Sequence, residues 1–152
     1  MTINQSLFSS SKDDWETPKE FFEKLNQEFN FDLDPCCSEI TAKCEKFYTK
    51  EDDGLIQPWF GSVYMNPPYG RQIVGWMRKA KEESEKGCIV VCLVPARTDT
   101  RWWHDYCMKS SEIRFLNRRL TFTGADNKST FPAAIVIFRP NQTVPKLGVQ
   151  KV

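Results

Sequence analysis

The chain has 152 residues, 40% of them apolar and 27% charged, the make-up of one soluble globular domain with mass enough for a real core. Its longest apolar run, Cys88–Ala96, is too short for a membrane-spanning helix, and residues 1–12 are expected to be a polar tail rather than a signal peptide. Six cysteines without a secretory signal read as reduced thiols, not a disulfide framework. The net charge of +1 is a cancellation: residues 1–56 hold 6 Lys/Arg against 13 Asp/Glu (−7), and residues 57–152 hold 15 against 7 (+8). Such asymmetry points to a polyanionic partner, or to solvated helix faces that happen to segregate.

In chain order, Thr17 is an expected N-cap, with Pro18 at the first helical position and Glu20 completing a capping box. Phe21, Phe22, Leu25 and Phe29 follow at helical spacing. Residues 31–34 read as a short strand stopped by Pro35, then a helical turn over 38–43 and a short strand over 46–49. Residues 61–65 read as a strand ending at Asn66-Pro67-Pro68-Tyr69-Gly70, where two prolines forbid ladder pairing. A helix is predicted over 72–86, with Ile73, Val74, Met77 and Ala80 inward and Gly87 as its stop. Residues 88–94 have the continuous apolar, β-branched character of a buried central strand ended by Pro95. A helix over 100–109 follows, with Trp102 and Trp103 as core or groove residues beside His104. The last strands are expected over 112–116 and 133–138, and the stretch after Pro140 as loop.

Strands alternating with helices predict an α/β fold, a compact Rossmann-like domain over residues 13–140 with a largely parallel sheet, and residues 141–152 as a C-terminal tail. Ligands are expected at the carboxyl ends of the strands, where Asp34, Asn66 and Pro95 all fall.

Asn66-Pro67-Pro68-Tyr69 carries the chemistry. Pro67 and Pro68 stiffen the backbone and remove two N–H donors, leaving nearby carbonyls free to accept. Asn66 adds a side-chain acceptor and Tyr69 a flat ring. The set suits a planar group bearing an exocyclic NH2. A metal site is not expected, since the cysteines lack paired C-x2-C spacing and the chain has one histidine. Pro35-Cys36 as a cytosine-attacking nucleophile is set aside, because it leaves Asn66–Tyr69 idle.

Trp15-Glu16-Thr17-Pro18, Phe31-Asp32-Leu33-Asp34-Pro35, Asp53-Gly54-Leu55, Asn66-Pro67-Pro68-Tyr69-Gly70, the stretch from Leu93 to His104, and Phe131-Pro132 occur in this order. The series resembles the phage-type, Dam-like DNA N6-adenine methyltransferases over about residues 13–140. The resemblance implies that S-adenosylmethionine is the methyl donor and that an adenine of double-stranded DNA is the acceptor. Asn66 and the Pro67 carbonyl would grip adenine N6, and Tyr69 would stack on the extruded base. It also implies a cofactor site containing Trp15, Thr17, Pro18, Asp34 and Pro35, with Asp53, or its neighbour Asp52, near the cofactor's adenine. Glu45 and Glu51 are the candidates for the ribose. One departure stands out: Cys36-Cys37-Ser38 follows Asp-Pro where glycines are usual.

Arg97, Arg101, Arg114, Arg118, Arg119 and Lys128 are the candidate DNA contacts. No separate recognition domain fits this length, so target reading is expected from residues 121–130 or from a second subunit in a homodimer. The rival functions are RNA-adenine or protein-glutamine methylation, and a non-catalytic DNA-binding module. The resemblance implies a phage or prophage origin and a cytoplasmic location in the host.

Overall fold

In the computed structural model, which describes residues 13–152, the apolar runs assemble into seven strands: β1 (Leu33–Asp34), β2 (Lys46–Phe47), β3 (Ser62–Met65), β4 (Ile89–Pro95), β5 (Glu112–Leu116), β6 (Ala133–Phe138) and β7 (Lys146–Gln150). The helices are α1 (Lys19–Phe29), α2 (Ile73–Glu85) and α3 (Arg101–Asp105), the last followed by a 3-10 turn at Cys107–Lys109. The polar tail expected over residues 1–12 lies outside the described residues.

The strands form one sheet in the order β2-β1-β3-β4-β6-β5-β7. β6 pairs antiparallel with both β4 and β5, and every other pairing is parallel. The mixed but mostly parallel α/β sheet is compatible with a Rossmann-like methyltransferase fold. Because β1, β3, β4 and β5 share one direction, their carboxyl ends and the loops after them gather at one rim. β4 and β6 are buried along almost their whole length and form the spine of the core.

α1 packs on the face that carries Tyr64, through Phe22 at 5.1 Å. Cys92 follows Val91, the partner of Tyr64, and so lies on the other face, where Cys107 neighbours it. Trp102 and Trp103 are both core residues. Among the described residues no helix is long and apolar enough to cross a membrane.

Several expectations are corrected. The helix predicted from Thr17 begins at Lys19, and the capping box does not form: the N-cap position is Pro18, which makes no side-chain cap. Thr17 instead turns its hydroxyl to Tyr64, at 2.6 Å. On α2, Trp76 takes the buried position expected of Val74, which is exposed. The helix predicted over 100–109 breaks at Tyr106 into α3 and the 3-10 turn. The largest difference is β7. Residues expected as loop pair in parallel with β5 from Lys146 to Gln150, because extended backbone there completes an open sheet edge that Pro145 and Gly148 do not block.

Candidate active site

A cavity of about 1040 Å³ opens at the carboxyl rim, with Asp34, Pro35, Asp53, Asn66, Pro68, Trp15 and Thr17 in its walls. Asn66 directly follows β3, and its amide is fixed on both sides. Nδ2 donates to the Trp15 carbonyl and to Thr17 Oγ1, the latter at 3.1 Å. A carbonyl can only accept, so the Trp15 contact forces the nitrogen that way and reserves Oδ1 for a donor. That donor is the Tyr69 hydroxyl, at 2.8 Å.

Tyr69 is not a free platform in this conformation. Its side chain is buried, its hydroxyl also donates to the Leu93 carbonyl at 3.1 Å, and its ring meets Phe131 and Phe122 edge-on. Trp15 closes the cluster at 5.4 Å from Phe122 and 5.6 Å from Phe131. Burial pushes the Tyr69 phenol well above its usual range, so it stays a neutral donor.

The Asp-Pro turn after β1 is built around Asp34. This carboxylate is almost fully buried, and it accepts from the Cys36 N–H at 3.3 Å and the Lys43 N–H at 3.0 Å. Burial raises its pKa to about 6, with the two N–H bonds opposing the rise. Between those anchors, Ser38 and Thr41 cap one another and the Ala42 N–H closes a helical turn on the Ser38 carbonyl. No residue from 36 to 43 has a positive φ. This loop therefore needs no glycine, which accounts for the glycine-poor sequence after Asp-Pro. Burial raises the Cys36 thiol well above its usual range, which denies it nucleophilic character.

Gly54 is the glycine this site does require. A Cβ there would sit 2.1 Å from the Pro35 carbonyl oxygen, so the 53–55 loop can lie against the Asp-Pro turn only with glycine. Asp53 adopts a left-handed φ of 58° and accepts from the Leu55 N–H at 3.2 Å, which holds it in the cavity wall. Asp52 is spent on capping the Thr49 N–H and hydroxyl, at 2.8 and 3.0 Å, and is absent from the wall. Glu45 and Glu51 are exposed and also outside it.

The family model described as DNA N-6-adenine-methyltransferase (Dam) matches residues 4–147. The chain belongs to the DNA N-6-adenine-methyltransferase family. A relative of that name from Haemophilus phage HP1 is 32% identical over 92% of this chain and 86% of its own length. Another, from Escherichia phage T1, is 34% identical over 72% of this chain, which spans about half of that longer protein.

A second depression lies at the start of α1. A cleft of about 290 Å³ is lined by Lys24, Arg118, Arg119 and Lys128, with Pro18, Glu20 and Phe21 at the start of α1. Neighbouring residues line the two: Thr17 and Thr123 the large cavity, Pro18 and Thr121 the cleft. Pro18, expected beside the cofactor, thus faces the basic cleft. Arg118, Arg119 and Lys128 are exposed, and among the described residues the arginines bond main-chain oxygens, those of Val152 and Ser129. Arg101 is exposed and 4.0 Å from Asp105, and Arg97 donates to the Tyr69 carbonyl at 3.2 Å.

Arg114 is corrected. It is tied to Glu28 and Glu112, each at 2.6 Å, and lies over the Phe29 ring, so it braces α1 on the sheet and is not free for phosphates. Sequence reasoning missed Tyr64, Lys24, Phe122 and the Lys43–Glu16 pair at 3.3 Å. Tyr64 had a signal: it shares a strand face with neither Val63 nor Met65, and a hydroxyl on a buried strand needs a partner. Among the described residues, no group of three or more His, Cys, Asp or Glu is placed to hold a metal ion.

Proposed function

We propose that this chain moves a methyl group from S-adenosylmethionine to N6 of an adenine turned out of a DNA duplex. The observation that carries the reading is the Asn66 amide, whose nitrogen is committed to Trp15 and Thr17, so that its oxygen, now held by the Tyr69 hydroxyl, is the acceptor an incoming amine would take over. Oδ1 and the Pro67 carbonyl would take the two amino hydrogens and hold the nitrogen on line with the methyl carbon. Positioning of this kind supplies much of a transfer rate without a strong base, which an amide is not. The proton leaves N6 for water after the new N–C bond forms and the C–S bond breaks.

The cavity wall fits the donor. Asp13, Asp14, Glu16, Asp34 and Asp53 outnumber Lys43, Lys50 and Arg71, and Lys43 is neutralised by Glu16. An anionic wall suits a ligand that carries a sulfonium and an ammonium group. S-adenosylmethionine supplies, when bound, a methyl group on a positively charged sulfur. Asp34 and Pro35 would hold its amino-acid end, with Trp15 and Thr17 alongside, and Asp53 would accept from its adenine.

The basic cleft supports the DNA part of the reading. Lys24, Arg118, Arg119 and Lys128, with the N–H groups of the first turn of α1, would grip backbone phosphates, with Arg97 and Arg101 as further contacts. Aromatic rings around Asn66 would receive the base, offsetting an extrusion cost of about a few kcal/mol. Incubation with methyl-labelled S-adenosylmethionine and duplex DNA, followed by digestion to nucleosides, tests this. Label in N6-methyladenine is expected. Label in cytosine, or in RNA or protein alone, overturns it.

A further inference from the structure

We infer that the Tyr69 hydroxyl is a latch that keeps the stacking ring shut in until a target base takes its place, an inference that rests on Asn66–Tyr69 being the adenine site. A ring that stacks on a base must offer it a face. Tyr69 is 2% exposed and offers none. Phe131 meets it at 5.8 Å and 84°, and Phe122 at 6.2 Å and 74°. Its one hydroxyl proton serves two acceptors, Asn66 Oδ1 at 2.8 Å and the Leu93 carbonyl at 3.1 Å.

The backbone cannot carry the ring outward. The Tyr69 N–H is bound to the Asp13 carbonyl at 2.8 Å, and its own carbonyl accepts from Arg97 at 3.2 Å. Two prolines precede it, and at Gly70 even a Cβ would come within 2.7 Å of the Asp13 carboxylate. The ring therefore opens by side-chain rotation, and rotation breaks both hydroxyl bonds together. Exposure of the stacking face is thereby coupled to release of Asn66 Oδ1. The incoming amino group replaces the hydroxyl on that oxygen, so the polar atom is satisfied in both states. Without a base the pocket stays closed and its hydrogen bonds stay made.

Tyr69→Phe keeps the ring and removes the latch. The probes are a duplex carrying an adenine that the wild type methylates, and the same duplex with an abasic site at that position. The ratio of the two affinities isolates filling of the base pocket from phosphate contacts. It is expected to rise about fivefold in Tyr69→Phe, the worth of one net hydrogen bond, with the abasic duplex as the internal reference. An unchanged or lower ratio overturns the latch. In the wild type, ring resonances of labelled Tyr69 should shift with the adenine duplex and not with the abasic one; identical spectra overturn the latch independently of the variant. A wild type that methylates no adenine overturns the reading of the site, and the latch with it. Methylation with an unchanged ratio overturns the latch alone.

Discussion

Two depressions are lined by neighbouring residues of the same segments and differ in nearly every other respect. The large cavity is walled by acids around a buried Asp34, whereas the cleft beside it is ringed by four exposed cations. Thr17 faces the first and Pro18 the second, so the chain crosses from one electrostatic environment to the other within a single peptide bond. A near-zero net charge conceals this, because charges that cancel in the sum are kept apart in space. The lesson is that ligand class follows local charge, and the two regions are predicted to fail separately.

The largest effect is expected at Asn66, in the wall of the large cavity. Asn66→Ala should lower methyl transfer by about 10²–10³-fold, as loss of a preorganised polar group does elsewhere, with binding of both ligands largely kept; rapid-quench transfer assays would read it. Next is the acidic side. Asp34→Asn should weaken S-adenosylmethionine about tenfold or more at pH 7.5, consistent with loss of a paired buried charge. In the wild type, cofactor affinity should fall as pH drops through about 6, because Asp34 takes up a proton there. Calorimetry across pH 5–8 tests both.

The same group has the opposite sign for the empty fold. Native Asp34 holds its proton more tightly than the unfolded chain, so its contribution to stability is greatest below about pH 4. That contribution, about 3 kcal/mol, is lost as pH rises through about 6. Denaturation of the cofactor-free protein in Asp34→Asn should lack that component.

On the basic side, Arg118→Ala with Arg119→Ala should reduce DNA affinity about tenfold and flatten the salt slope by about 1–2. Arg114→Ala is the sharpening control and the smallest effect. It should cost about 1–2 kcal/mol of stability through its bonds to Glu28 and Glu112, while leaving the salt slope alone.

Much of this arrangement was legible in the sequence. The strand runs ending at Asp34, Asn66 and Pro95 placed the rim, since apolar β-branched residues stop where proline or polar residues begin. Thr17 shows no cap in the fold because a capping box is a local pattern, and a buried Tyr64 hydroxyl 47 positions away takes the same oxygen. β7 was missed for a related reason: an edge strand of alternating exposed residues has little apolar signal, and its pairing with β5 is a tertiary fact. Arg114 looked like its basic neighbours because its partners on α1 are remote in sequence. The loop after Asp34 shows the reverse case, in which a missing glycine pattern has a local explanation in the turn that Ser38 and Thr41 build.

The division of labour itself is tested most directly by measuring two quantities, S-adenosylmethionine affinity and the salt dependence of DNA binding, in Asp34→Asn and in the Arg118/Arg119 double variant. The expected result is crossed: the first variant loses cofactor affinity and keeps the salt slope, and the second keeps cofactor affinity and loses slope. Both variants losing the same quantity, or the arginine pair leaving the slope intact, would contradict it.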